Sequence, residues 1–179
     1  SAVWRSFTFG DVATIHALES RLTGRSPDVS WFDALAGVTD QDVMMQRVTE
    51  TLQTVNDPAR TMLGSEQEAW LATELKASAD AGKAWPEQLA AQDNGFVKTM
   101  VGFSALGLPF NLDAWDGFPA ARERLYSGAA SAGANLVTLA GDTHTAWANT
   151  LYDAQDGKRG VEFGCTSITS PGTGAYIKG

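Results

Sequence analysis

The stretch Asn135 to Tyr152, NLVTLAGDTHTAWANTLY, restricts the fold more than any other part of this chain. Leu136 to Ala140 form an apolar run, too short for a helix, that stops at Gly141. Such a run between turn signals reads as a strand buried on both faces, hence near the middle of a sheet. Gly141 lets the backbone turn at the strand's carboxyl end. Asp142 and His144 follow at once, and in an extended or turning loop two residues of that spacing point to one side. A carboxylate beside an imidazole at such a rim has two readings. It is half of a metal site, or the acid/base part of one. Alternatively it is an Asx-type turn with a solvent-facing histidine. Spacing alone leaves the two even.

The remaining chain supplies alternating strands and helices. Val3 to Phe9 and Val12 to Leu18 read as a strand pair joined at Gly10-Asp11, the first with bulk on both faces and so expected to be buried on both. Residues 22 to 39 are loop-like, with Trp31 and Phe32 expected to plug the loop onto the body. Asp40 to Val55 has helical spacing, which puts Met44 and Met45 at the core and its edge. Ser65 to Ala79 reads as a helix opened by a Ser65/Glu68 capping box, with Ala69, Leu71, Ala72, Leu75 and Ala79 as its buried stripe. Pro119 suits the first turn of a helix, and Asp116 is expected to cap it. Asp156-Gly157 mark a hairpin turn between Ala148–Tyr152 and Gly160–Gly164. Between these, Pro86-Glu87 interrupt the stretch Trp85 to Gln92, so a strand there is expected to be absent or displaced.

The chain has 13 Lys and Arg against 21 Asp and Glu, a formal net charge of -8. That sign argues against nucleic acid or an anionic membrane as partner. It also means that a phosphate ester held here is held with the help of bound cations. No run approaches the ~20 apolar residues of a membrane span. SAVWRSFTFGD has neither the basic head nor the apolar stretch of a signal peptide. The one cysteine, Cys165, excludes an internal disulfide and a multi-cysteine zinc site, and is expected to be a small buried residue.

Five blocks carry a resemblance: FTFGDVATIHALESRLTGR, MLGSEQEAWLATELKAS, DAWDGFPAARERL, GDTHTAWANTL and EFGCTSITSPG. In that order they closely resemble the C-terminal half of PhoD-like alkaline phosphatases, within the calcineurin-like metallophosphoesterases. The resemblance implies an α/β fold, a layered mixed β-sheet with flanking helices that forms part of an αββα sandwich. Residues 1–179 would then be the C-terminal portion of one such domain. It implies hydrolysis of phosphomonoesters and diesters with iron and calcium ions, in a protein exported to the periplasm or secreted. It implies Asp142 and His144 as metal ligands, with His144 also catalytic. The triplet Glu19-Ser20-Arg21 is similar to an acidic-Ser/Thr-Arg triplet of the family. Arg21 there orients an acidic neighbour or a phosphate, or simply pairs with Glu19 at the surface. Asp113 and Asp116 fall in a block that borders the family's cleft, and Asn149 stands where the family commonly has Asp.

A count limits what this chain can do alone. A two-metal site needs roughly six to eight protein ligands. The chain has two histidines, His16 and His144, and His16 lies in an apolar strand where a core role is the commoner one. The family's other metal motifs, of GD and DDHE type, lie upstream of the block matching residues 6 to 25 and do not occur here. The expectation is a portion of a longer enzyme for small phosphate esters, poorly active without a missing N-terminal half. The competing expectation is a noncatalytic half-domain or paralogue that lacks a full metal site.

Overall fold

The computed structural model describes residues 2–81, 87–94 (by their backbone), 108–109, 111–142, 144–166, 168–169 and 171–172. Six strands form one mixed sheet: β1 (Arg5–Phe9), β2 (Ala13–Ala17), β3 (Glu87–Asn94), β4 (Asn135–Gly141), β5 (Trp147–Tyr152) and β6 (Lys158–Gly164). Their spatial order is β1-β2-β3-β4-β6-β5. The inner four, β2, β3, β4 and β6, run parallel, and β1 and β5 fold back antiparallel at the two edges. The strand at 135–141 is therefore central, as its apolar run requires.

Helices α3 (Ser65–Asp80) and α4 (Pro119–Ser131) cover one face of this sheet; α1 (Trp31–Ala34) and α2 (Gln41–Val55) lie in the connection between β2 and α3. The core under the helices joins Leu71 and Leu75 of α3, Ala121, Leu125, Tyr126 and Ala129 of α4, and Leu136 and Leu151 of the sheet. Trp115 and Phe118, at the turn before α4, complete it. Strand periodicity puts one polar rung on this same face: His16 pairs with Ala90, Ala90 with Thr138, Thr138 with Glu162, and Glu162 with Asn149. His16, Thr138 and Glu162 are fully buried there. His16 Nδ1 lies 2.8 Å from the Ser6 hydroxyl, which donates to Glu74 of α3, and the imidazole meets Trp70 edge-on. His16 is thus a core residue, held by polar partners as burial demands.

The opposite face has no helix on it among the described residues. Register places Phe7, Ile15, Leu89, Val137 and Val161 in one row across it. Phe7, Phe9, Tyr152 and Phe163 are each about half exposed.

Several expectations need correcting. The first strand begins at Arg5 and is exposed on both sides, because it is an edge strand. The strand doubted for the Trp85 to Gln92 stretch is present, in the middle of the sheet; it begins at Glu87, so Pro86 precedes it and costs no ladder bond. Trp85 lies outside the described residues. Trp31 is anchored through Nε1 to the Pro109 carbonyl, but Phe32 is exposed rather than plugged in. Met44 and Met45 are exposed, since α2 buries only Thr51 and Val55. Gly64, not Ser65, is the N-cap of α3 and offers no side-chain cap. Thr61 does that work instead, accepting from the Gly64 amide and donating to Glu68. The buried stripe of α3 is Gln67, Leu71, Leu75 and Ser78, so Ala69 and Ala72 face outward. Phe118, not Asp116, is the N-cap of α4, and Asp116 is buried and paired with Arg122 at 2.8 Å. Cys165 is exposed. No described helix is long and apolar enough to cross a membrane.

Candidate functional site

β4 delivers the chain to the carboxyl edge of the parallel strands, the place where open α/β sheets put their ligands. Pairing continues one step past the strand, with the Cys165 amide donating to the Ala140 carbonyl at 2.8 Å. There the backbone leaves the strand through two left-handed residues. Asp142 has φ +67° and His144 φ +55°, and neither is glycine. An L-residue in that region costs about 1–2 kcal/mol, though Asp and His tolerate it better than most. Two such residues within three positions put this loop in a sparsely populated backbone region. The loop after β6 packs on it. The Thr166 hydroxyl donates to the His144 carbonyl at 3.3 Å, and a methyl group placed on Gly172 would come within 3.2 Å of the same oxygen.

The Asp142 carboxylate is not alone at this rim. Arg21 donates to it through Nη2 at 2.9 Å and to Asp113 through Nη1 at 2.6 Å. Arg25 takes the other oxygen of Asp113 at 2.5 Å and its backbone carbonyl at 3.0 Å. Asp113 therefore sits between two guanidinium groups, and Arg21 spans two carboxylates. Arg25 in turn lies over the buried ring of Phe118, its guanidinium carbon 4.6 Å from the centroid, with Arg60 at 4.5 Å. Burial, and then the like charge of Arg25, lowers the pKa of Arg60 below its ordinary value.

Glu19 has a different task from the surface pairing with Arg21 considered above. Its carboxylate accepts the backbone amides of Arg21, Leu22 and Thr23 and the Thr23 hydroxyl. Burial pushes its pKa up, but these hydrogen bonds together outweigh burial and hold the group below the ordinary glutamate value. Arg21's guanidinium is thus left to reach Asp113 and Asp142, partners 92 and 121 residues away.

The structure thus brings Asp142, His144, Asp113 and Arg21 to one rim. It puts Asp116 elsewhere, under α4, and turns Asn149 toward the helix layer opposite Glu162. Arg25 was missed by sequence reasoning, and so was Glu19's grip on the loop. A weak signal existed for both: the run Glu19-Ser-Arg-Leu-Thr-Gly-Arg25 places an acid, two hydroxyl residues and two arginines in seven positions.

Against a metal ion the donor set falls short. Among the described residues no group of three or more His, Cys, Asp or Glu is arranged to hold one. Asp142 is instead neutralised by Arg21.

Comparison with known proteins gives the family. A family model described as PhoD-like phosphatase matches residues 1–178. Alkaline phosphatase D of Bacillus subtilis (strain 168) is 34% identical over 178 residues, 97% of this chain and 27% of that protein. A solved structure titled "Structure of PhoD" superposes with a TM-score of 0.68 at 30% identity, over 94% of this chain and 29% of its own. The chain thus spans little more than a quarter of the length of the relatives it matches. With nearly every residue inside the family model, this chain belongs to the PhoD-like phosphatase family.

Proposed function

We propose that this chain is the C-terminal portion of a metal-dependent phosphoester hydrolase acting on small phosphomonoesters or diesters. Asp142 and His144 are proposed as two of its metal ligands, and His144 also as a catalytic imidazole. The observation that carries this reading is the left-handed loop at the end of the central strand, which carries His144 and sets the Asp142 carboxylate against Arg21, itself paired with Asp113. Iron and calcium are the ions that the resemblance implies, and the other ligands are proposed to lie outside the described residues. Two further observations support incompleteness. Only a quarter of the relatives' length is matched. One face of the sheet is left with half-exposed phenylalanines, as one layer of an αββα sandwich would be without its partner layer. An exported location, periplasmic or secreted, belongs to the same reading.

The chain's own residues allow a limited mechanism. Arg21 and Arg25 hold the Asp113 and Asp142 carboxylates in place at the rim. Asp142 and His144 hold a cation or move a proton, according to what completes the site.

The test compares this chain with a longer protein that carries the upstream motifs. The longer protein should retain iron or calcium after dialysis and hydrolyse a chromogenic phosphodiester, and the 179-residue chain should do neither well. Asp142→Asn in the longer protein should lose metal and turnover together, because an amide is a poorer ligand for a hard cation. Unchanged turnover in that variant removes Asp142 from the mechanism. Strong chelator-sensitive turnover by the short chain shows that its own carboxylates complete the site. No metal and no turnover in the longer protein would favour the noncatalytic half-domain.

A further inference from the structure

Helix α3 carries a glutamine in its buried stripe, beside Leu71 and Leu75. Gln67 is fully buried, and its amide is spent entirely on main chain. Its Oε1 accepts the Glu19 amide at 2.8 Å, and its Nε2 donates to the Glu19 carbonyl at 2.7 Å and to the Leu63 carbonyl at 3.2 Å. One side chain thus binds both polar groups of one residue, as a neighbouring strand would. A leucine would fill the same space without ordering anything, so the buried amide is kept at a cost that its hydrogen bonds repay only in this geometry.

The residue so held is Glu19, whose carboxylate grips the amides of the next turn, the Arg21 amide at 2.5 Å and the Thr23 amide at 2.8 Å. Further along, the same loop is pinned to the entry of α3. The Ser26 amide donates to the Thr61 carbonyl at 2.9 Å, and the Thr61 amide to the Ser26 hydroxyl at 3.0 Å. From this clamped loop Arg21 reaches out. Its planar fork is fixed at one end by Asp113, itself held by Arg25, and at the other end meets Asp142.

We propose that Gln67 and Glu19 are positioning residues for Asp142: α3 sets the 19–25 loop, the loop sets the Arg21 guanidinium, and Arg21 sets the carboxylate at the end of β4. The inference rests on the proposed function for its importance to catalysis, but not for its geometry. Its direction is specific. The loop is held by backbone amides, so it stays ordered without the Arg21 side chain, whereas the 142–144 loop depends on both.

Amide hydrogen exchange read by mass spectrometry in the intact protein tests this without any turnover. Arg21→Ala should speed exchange in segment 141–146 and leave 19–25 slow. Glu19→Gln should speed both segments, and Thr23→Val, a milder change, should do so to a smaller extent. The expected acceleration for Glu19→Gln is about tenfold, that of one lost charge-assisted hydrogen bond, with segment 119–131 of α4 unchanged. Adding Arg21→Ala to Glu19→Gln should give no further acceleration at 141–146. The proposal is overturned if Glu19→Gln leaves 141–146 unchanged, if 119–131 accelerates with it, or if the two changes add. In the longer protein Glu19→Gln should also lower kcat more than it raises KM. An exchange pattern as expected in a protein with no phosphatase activity in any form would sink the functional reading and leave the positioning intact.

Discussion

The place of Asp142 and His144 at the end of a central strand was legible because they follow a strand signal within a few positions. Their surroundings were not legible. Arg21 reaches Asp113 and Asp142 across 92 and 121 residues, and no periodicity or turn signal spans such distances. Arg21 was therefore left between orienting an acidic neighbour or a phosphate and pairing with Glu19, and the structure gives the guanidinium to two acids, neither of them Glu19. Glycines at this scale make a cleaner prediction. Gly24 has φ +72° and presses on the entry of α3, so that a methyl group there would stand 2.6 Å from the Leu63 carbonyl oxygen and 2.9 Å from the Gly64 Cα. Both obstacles are backbone and cannot step aside. Gly10 has a similar φ of +55° with nothing within 4 Å. Gly24→Ala should cost about 3 kcal/mol by urea unfolding, and Gly10→Ala only about 1 kcal/mol, since it pays for the dihedral alone. Equal costs would show that the 24/64 contact is looser than its geometry.

Helix positions were read well at the level of elements, and their terminal chemistry less well. The S-x-x-E pattern at Ser65 is a true start signal, yet the capping hydroxyl comes from Thr61, four residues upstream, because Gly64 bends the chain with φ +79°. Glu68 is thereby released to reach α4. Its two oxygens accept from Arg124 Nε at 2.8 Å and Nη2 at 2.9 Å, a bidentate pair that ties the two covering helices together. Burial raises the Glu68 pKa, but the bond from Arg124, the Thr61 hydroxyl and the Arg124 charge prevail, and the net shift is downward from 4.5. A carboxylate depressed in the folded state stabilises fully above its unfolded pKa and loses that contribution as pH falls through the folded value. Glu68→Gln should therefore lower stability by about 1 kcal/mol at pH 7, a modest figure because the pair is partly exposed. The gap between variant and parent should close as the pH drops below the ordinary glutamate value. Thermal unfolding at several pH values checks this, and a gap that widens in acid would contradict it. The doubted central strand teaches a related lesson. Pro86 was weighed as though it lay within the ladder, but a proline one residue before a strand leaves every ladder donor in place.

At the scale of the molecule the sheet is lopsided. Leu136, Leu151 and the polar rung face α3 and α4, while Phe7, Val137, Val161 and Phe163 face away from both. The apolar run of β4 announced a central strand apolar on both faces, whereas the expectation of a sandwich came from the family resemblance. What the sequence could not say is which residues of the edge strands share the second face, because that depends on register across four neighbours. Phe163 gives the decisive measurement. It lies in β6, between β4 and β5, on the face without helices, and is 48% exposed. In this chain by itself Phe163→Ser removes a ring that is already half in water, and the cost should be about 1 kcal/mol or less. In a longer protein whose further residues cover the face, the same change leaves a cavity and a buried hydroxyl, and should cost about 3–5 kcal/mol. Denaturant unfolding of parent and variant in both lengths gives the two differences directly. The short chain should also self-associate through this face, and Phe7→Ser with Phe163→Ser should return it to monomer, since the apolar patch is then broken at both ends. Equal small costs in both lengths would mean that the face meets water in the longer protein too, and the second layer of the sandwich would have to be abandoned.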